Sequence, residues 1–268
     1  MIKRRSWLFI AGADERAHAA AAKSGADVVI LELEDFTPPE LRARARSLAK
    51  SAFQLWRSAG AIAAVRINPL EGDGRADLAG VLPAKPDIVL MSKVDSPKKV
   101  LELERATGGT IELVPNVESA AGLRRTFDIA RASRKVSALL VASEDMVADL
   151  GTARSRTGEE LAYVRAHFLA ECRAAGVEAI DCPYTFSDAK GAAADARYAA
   201  KLGYRMKSLV DPSHARVINK ALTPDLAKAR KIVAAFEKAR AQGKDRAKVD
   251  GALIEVPVYA AAKRLLER

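Results

Sequence analysis

Short apolar runs recur along the chain at 7–10, 27–33, 62–67, 87–91, 110–115, 136–142, 177–180 and 206–210. Their length and aliphatic content suit strands covered on both faces. Between them lie stretches with helical spacing, at 14–24, 39–59, 97–107, 118–133, 158–175 and 187–202, with a weaker one at 74–81. Several of these helices open after Asp, Ser or Pro and stop at a glycine: Gly25, Gly60, Gly176 or Gly203. Alternation of this kind predicts parallel strands joined by helical crossovers. Eight strands within the first 210 residues predict a (β/α)8 TIM barrel. An open doubly wound sheet is the alternative, but no Gly-x-Gly-x-x-Gly follows the first strand.

The pattern changes after residue 222. A long Ala/Lys/Arg helix is expected at 224–242, then a polar stretch at 243–251, then an apolar stretch at 252–268 ending in a helix. Residues 1–222 are therefore read as the barrel. Residues 223–268 are read as a C-terminal helical arm that packs on the barrel or on a neighbouring subunit.

The 268 residues are 49% hydrophobic and 29% charged, enough for a large core and too apolar for disorder. Aromatics at 5% argue against a nucleic-acid stacking platform. The net charge of +10 invites a polyanionic partner. Acids are interspersed with the bases, however, and the basic run at 228–248 reads most simply as a solvated helix face. Cys172 and Cys182 show no metal-ligand spacing, as expected of a reduced, cytoplasmic protein. The apolar run near the start is interrupted by Asp14-Glu15-Arg16, too early for an export signal, and no later stretch is long enough to span a bilayer.

Barrel chemistry gathers at the C-terminal ends of the strands. Those ends carry Gly12, Glu34-Asp35, Arg66, Asn68, Ser92-Lys93, Asn116, Glu118, Glu144-Asp145, Asp181 and Asp211. So many ionisable groups in one mouth would be costly without a metal or mutual pairing. Strand parity puts Ala64, Arg66 and Asn68 on one face, and Val114, Asn116 and Glu118 on another. One member each of Glu34-Asp35 and Glu144-Asp145 should enter the mouth while the other braces it. Taken alone, Glu118 is equally a carboxylate favoured by a helix N-terminus, and Arg66 a structural ion-pair partner. His18, His167 and His214 fall on helical patterns as packing or surface residues. Cys182 is read as a residue lining the mouth, with nothing adjacent to activate its thiol.

Residues 5–12, RSWLFIAG, resemble the opening of the citrate lyase beta-subunit-like proteins, the malyl-CoA and citramalyl-CoA lyase family. The resemblance continues in order through ELED at 32–35, VRINP at 65–69, PNVESA at 115–120, SEDMVADLG at 143–151, AIDCP at 179–183 and the C-terminal segment. It implies a Mg²⁺-dependent barrel that makes or breaks a carbon–carbon bond in 3-hydroxyacyl thioesters, releasing a 2-oxo acid and an acyl-CoA. By the same resemblance Glu118 and Asp145 are metal ligands, and Arg66, Asn68, Glu118 and Asp145 contact substrate. Arg66, Asp35 and the lid carboxylate Glu255 are the catalytic candidates. The family pattern further implies a homo-oligomer, trimer first, with Glu255 donated to a neighbouring barrel and the stripe Leu253, Val256, Ala260 and Leu265 at the contact. Arg4 and Arg5 are candidates for the CoA phosphates.

This chain departs from the family at three places. Its 206–212 reads MKSLVDP where the family has GKxxIHP, Ala142-Ser143 replaces FG, and Glu255 replaces an aspartate. The added methylene matters, because a misplacement of ~1 Å can cost on the order of 10²-fold in rate. Two other readings follow: a metal-dependent 2-oxo acid aldolase that uses no CoA, and a non-catalytic barrel homologue.

Overall fold

The computed structural model describes residues 4–267. Residues 1–3 and 268, at the edges of the two expected segments, lie outside the described residues. The first eight strands are β1 (Ser6–Ala11), β2 (Val28–Glu32), β3 (Ile62–Ile67), β4 (Ile88–Met91), β5 (Glu112–Val117), β6 (Ala138–Val141), β7 (Glu178–Asp181) and β8 (Met206–Leu209). They pair in sequence order, all parallel, and β8 returns to β1 to close a barrel. The helices of this part are α1 (Glu15–Ser24), α2 (Arg42–Ser58), α3 (Gly74–Val81), α4 (Pro97–Ala106), α5 (Ala120–Leu123), α6 (Thr126–Arg131), α7 (Glu144–Asp149), α8 (Ala162–Ala175), α9 (Ala189–Leu202) and α10 (Ala215–Leu222). The (β/α)8 expectation is met, and the open sheet is excluded by the β1–β8 pairing.

Period-two alternation explains the two-layered core. Trp7, Phe9, Val28, Ile30, Ala64, Leu90, Val114, Leu140 and Ile180 fill the barrel interior. Their neighbours Leu8, Val29, Leu31, Val65, Val89, Leu113 and Leu139 pack outward against the helices. Local signals act where they were expected. Asp14 caps α1 by accepting from the backbone N–H groups of Arg16 and Ala17, and Gly25 ends it at φ 77°. The helix expected at 118–133 breaks into α5 and α6, and α7 and α10 are additional short helices.

The chain divides into two compact units, the barrel ending at Leu222 and a second unit starting at Thr223. The second unit holds α11 (Leu226–Ala241), the antiparallel hairpin β9 (Ala247–Val249) and β10 (Ala252–Ile254), and α12 (Val256–Leu266). The polar stretch expected at 243–251 thus contains a strand and a turn. Asp250 and Gly251 make that turn at φ 50° and 80°, a conformation that Asp-Gly pairs favour. This unit has its own core of Ala229, Ile232, Phe236, Val249, Ile254 and Ala262, and Leu265 packs on it. Leu265 therefore belongs to the arm's interior, whereas Leu253 and Val256 stand about half exposed. Among the described residues no helix is long and apolar enough to cross a membrane.

Candidate active site

Arg66, at the end of β3, organises the mouth. Its side chain is only 8% exposed and lies over the rings of Phe9 and Phe36 at 4.9 and 5.9 Å. The guanidinium stands 2.9 Å from Glu32, 3.2 Å from Glu34, 3.6 Å from Asp35 and 3.7 Å from Glu118. Burial opposes its charge, but these four carboxylates outweigh that and hold its pKa above the usual value. Glu32 also accepts hydrogen bonds from the backbone N–H groups of Glu34 and Phe36, at 2.6 and 2.7 Å. It therefore fixes both the arginine and the loop that follows β2. Gly12 permits that loop's close approach, because a Cβ there would lie 2.7 Å from the Glu32 carbonyl oxygen.

Glu118 is the least satisfied group in the mouth. It is buried, and neither carboxylate oxygen has a hydrogen-bond partner. Burial pushes its carboxyl up to about 8; Glu34, Asp145 and Asp35 push the same way, and Arg66 pulls back. Asn116 beside it is fully buried with neither amide atom hydrogen-bonded, and Glu34 Oε2, 3.2 Å from Arg66, accepts no hydrogen bond either. Burial likewise raises the Glu34 carboxyl, against Arg66 and Lys93. Around Arg66 and Lys93 stand five carboxylates, Glu32, Glu34, Asp35, Glu118 and Asp145. Ionised together, they leave three negative charges without a partner, which few proteins tolerate in a buried site.

Two adjoining hollows share Asp145. One, of about 360 Å³, is lined by Phe9, Asp35, Phe36, Arg66, Glu144, Asp145, Thr185 and Val210, among others. The second, of about 380 Å³, has Lys93, Lys99, Glu118, Ser119, Asp145 and Asp149 in its wall. Lys93 donates to Glu34 and holds a left-handed backbone at φ 55°. The hydrogen bond to Glu34 outweighs desolvation and raises the Lys93 ammonium pKa. Non-glycine residues keep such a conformation mainly where their surroundings enforce it.

Several expectations need correction. Glu34 and Asp35 both approach Arg66, because they lie beyond the end of β2 and strand parity no longer applies. Glu144 and Asp145 occupy the first turn of α7. There Glu144 accepts from Thr185 at 2.8 Å and pairs with Arg154 at 3.3 Å, while Asp145 interacts with Glu118. Asn68 spends both amide hydrogens, on the Leu33 carbonyl at 2.7 Å and Asp77 at 2.8 Å, so it braces the loop after β3. Asp181 does not face the mouth. It shares the outward face of β7 with Ala179 and pairs there with Arg165 and Lys207. Cys182 packs in the same outer layer, its thiol pushed up to about 12 by burial and by Asp181.

Arg4 and Arg5 lie at the opposite end of the barrel. They pair with Glu112, the first residue of β5, and with Asp27, just before β2. Asp211 caps its own turn by accepting from Ser213 N at 2.8 Å. His18 packs edge-on against Trp56, His167 stacks on Tyr163, and His214 is buried. Glu255 belongs to the second unit, at the N-cap of α12, where its side chain makes no capping hydrogen bond. Sequence reasoning gave no role to Glu32 or Lys93. Parity points to Glu32, since Val28 and Ile30 of the same strand face the interior.

Among the described residues no group of three or more His, Cys, Asp and Glu side chains forms a ligand set. Glu118 and Asp145, which line the same hollow, would offer two carboxylates, a donor set that suits a hard cation keeping several of its waters. The orphaned oxygens of Glu118 and the surplus negative charge fit such a cation. A barrel with an acid-rich mouth, one buried arginine and room for an oxygen-ligated metal is an architecture for polarising small oxo- or hydroxy-acids.

Residues 5–212 match the family model described as HpcH/HpaI aldolase/citrate lyase, and the chain belongs to that family; it is an enzyme of the lyase class. It is 31% identical to the citrate lyase subunit beta of Haemophilus influenzae, over 99% of this chain and 96% of that one. It is 30% identical to a (3S)-malyl-CoA thioesterase of Cereibacter sphaeroides, over 98% of this chain and 94% of the relative. Among solved structures, the CitE protein of Mycobacterium tuberculosis in complex with magnesium, acetoacetate and coenzyme A matches with a TM-score of 0.79. Its identity is 27%, covering 99% of this chain and 97% of that one.

Proposed function

We propose that the protein is a Mg²⁺-dependent lyase that cleaves, or in reverse forms, a 3-hydroxyacyl-CoA such as malyl-CoA or citramalyl-CoA. The products of cleavage are a 2-oxo acid and an acyl-CoA. The observation that carries this reading is Glu118, a buried carboxylate neither of whose oxygens accepts a hydrogen bond, next to Asp145 and Arg66 in a surplus of negative charge. Glu118 and Asp145 would hold the metal. When bound there, Mg²⁺ supplies Lewis-acid polarisation of the hydroxy- or oxo-acid oxygens.

The protein's own groups account for the rest. A carboxylate takes the substrate hydroxyl proton, either Asp35 directly or Glu255 from an arm. The carbon–carbon bond then breaks, and its electron pair moves into the thioester as an enolate. Arg66, held by Glu32 and backed by Phe9, donates to the enolate oxygen from a fixed position, so little reorganisation is needed as charge develops. A proton delivered to the enolate carbon completes the acyl-CoA.

The reading includes assembly as a homo-oligomer, trimer first, with the arm of one copy covering the mouth of another. Its support is the uncapped Glu255 carboxylate between the exposed Leu253 and Val256. The position of Arg4 and Arg5 removes one argument for CoA and favours, as a second reading, an aldolase acting on free 2-oxo acids.

The deciding assay follows glyoxylate or pyruvate and free thiol from malyl-CoA and citramalyl-CoA, with Mg²⁺ and with EDTA. Metal-dependent 2-oxo acid without free thiol is expected. Turnover indifferent to EDTA overturns the mechanism, and free thiol alone indicates a thioesterase. Mixing Glu255→Ala and Arg66→Ala subunits should restore partial activity; no restoration in demonstrated mixed oligomers overturns the shared site.

A further inference from the structure

The chain's excess charge is concentrated in the second unit. Residues 223–268 carry eleven Lys and Arg against six Asp and Glu, a net +5 of the whole chain's +10. The acids there are largely engaged: Asp225 caps α11, Asp250 pairs with Lys231, Glu237 accepts from Tyr259, and Asp245 pairs with Arg246. Four cations, Lys238, Lys244, Arg246 and Lys248, surround one cleft of about 410 Å³ between the end of α11 and the β9–β10 hairpin. No carboxylate is among its lining residues. The side chains of Lys238 and Lys248 make no hydrogen bond or ion pair among the described residues. The basic run that looked in sequence like a solvated helix face is thus folded around a concavity.

The C-terminus of α11 offers Lys238 a favourable dipole, which accounts for one cation near a helix end. It does not account for Lys244, Arg246 and Lys248, which lie beyond the helix or on the hairpin. Apart from Gln242, the rest of the lining is apolar: Ala235, Ala239, Ala247 and Leu253. Leu253 lies directly across the hairpin from Lys248 and is 47% exposed. A cation beside an exposed aliphatic surface recognises a ligand with both an anionic and a flat apolar part. The volume falls within the range of small-ligand sites and is too confined for a nucleic-acid duplex.

We propose that this cleft binds a diphosphate joined to an aromatic group, the chemistry shared by an adenine nucleotide and the adenosine end of coenzyme A. The diphosphate meets Lys238, Arg246 and Lys248 through charge-assisted hydrogen bonds, and the ring lies against Leu253. None of the residues lining this cleft lines the carboxylate-rich mouth, and the contacts proposed here need no metal.

Calorimetry on the full chain in EDTA tests it, with pyrophosphate, ADP and coenzyme A as probes. ADP or coenzyme A should bind more tightly than pyrophosphate. Lys238→Glu/Lys248→Glu should weaken binding at least tenfold. The control Lys201→Glu/Lys220→Glu, with the same change in net charge but outside the cleft, should bind as wild type. ADP bound without coenzyme A assigns the site to nucleotides, and a preference for coenzyme A assigns it to the acyl carrier. Three results overturn the proposal: no binding of any probe at millimolar concentration, unchanged binding in the cleft variant, or equal loss in the control. Because turnover at the mouth is assayed separately, failure here leaves the lyase reading standing, and the reverse.

Discussion

The barrel buries two clusters of charge, and they differ in their state of satisfaction. On the outer side of β7 and β8, Arg165 and Lys207 meet Asp181 and Asp195, two cations against two carboxylates. Arg165 grips Asp181 with two hydrogen bonds at 2.6 and 2.8 Å, and Lys207 spans both aspartates at 2.7 and 2.6 Å. No polar side-chain atom of these four is orphaned. In the mouth, five carboxylates face two cations, and Glu34, Asn116 and Glu118 have buried polar atoms that make no hydrogen bond. A structural charge network closes on itself; a site that must receive something leaves groups open. Burial alone would not have separated Glu34 and Glu118 from Asp181, since all three side chains are at most 3% exposed.

The largest effect expected from this contrast is on stability. Asp181→Asn leaves Arg165 and Lys207 with one carboxylate between them in a dry layer. It should cost about 3–5 kcal/mol in urea denaturation, while folded enzyme keeps its turnover. Loss of turnover at unchanged stability would make the outer quartet part of the site and end the distinction.

Arg66→Gln should do the opposite. Its cost in kcat should be on the order of 10²–10³-fold, as for removal of one fixed donor to a developing oxyanion. The carboxylates it abandons can take up protons, so its stability loss should be smaller than that of Asp181→Asn at pH 6 and should grow with pH. Equal kcat for variant and wild type would remove Arg66 from the chemistry.

Glu118→Gln sharpens the comparison through pH. The Glu118 carboxyl is raised from 4.5 to about 8, so the folded protein holds a proton there that the unfolded chain has released. Without metal, wild type should therefore lose stability as pH rises from about 4.5 to 8. The variant cannot ionise and escapes that loss, so in EDTA its advantage should be below about 1 kcal/mol at pH 5 and about 5 kcal/mol at pH 9. Mg²⁺ should raise the melting temperature of wild type and leave the variant unmoved. A metal-induced shift of equal size in both would exclude Glu118 as a ligand.

What could be read in advance follows a physical division. Period-two parity located Arg66 and Asn116, because regular strands in a closed barrel carry that information locally, and it still held at Glu118, one residue past β5. The same rule, applied to β7, would have turned Asp181 outward with Ala179 instead of placing it at the mouth. Parity ends with the strand, so the joint approach of Glu34 and Asp35 to Arg66 needed the loop that Glu32 builds. Arg4 and Arg5 find their acids 108 and 22 residues away. Those pairings follow from barrel closure and could not be seen in a linear motif. The hairpin at 247–254 had a local signal in Asp250-Gly251, overridden by the polar run around it.

The smallest expected effect compares the two ends of one strand. Lys85, before β4, and Lys93, after it, are both left-handed at φ 55°. Glycine relieves about 1–2 kcal/mol of that strain and returns roughly 0.5–1 in lost chain entropy. Lys85→Gly, at the end of the barrel away from the mouth, should therefore be up to about 1 kcal/mol more stable than wild type, with turnover unchanged. Lys93→Gly gains the same backbone relief but removes the ammonium from Glu34 and from the hollow it shares with Glu118 and Asp145. Its stability should lie within about 1 kcal/mol of wild type, because the Lys93 end of the pair is half exposed and the buried Glu34 keeps Arg66 beside it. Its kcat/KM should nonetheless fall, and Lys93→Arg should recover part of the loss while keeping the strained backbone. If the two glycine variants behave alike in both assays, the conformation of Lys93 is incidental. The open cluster would then end at Glu34.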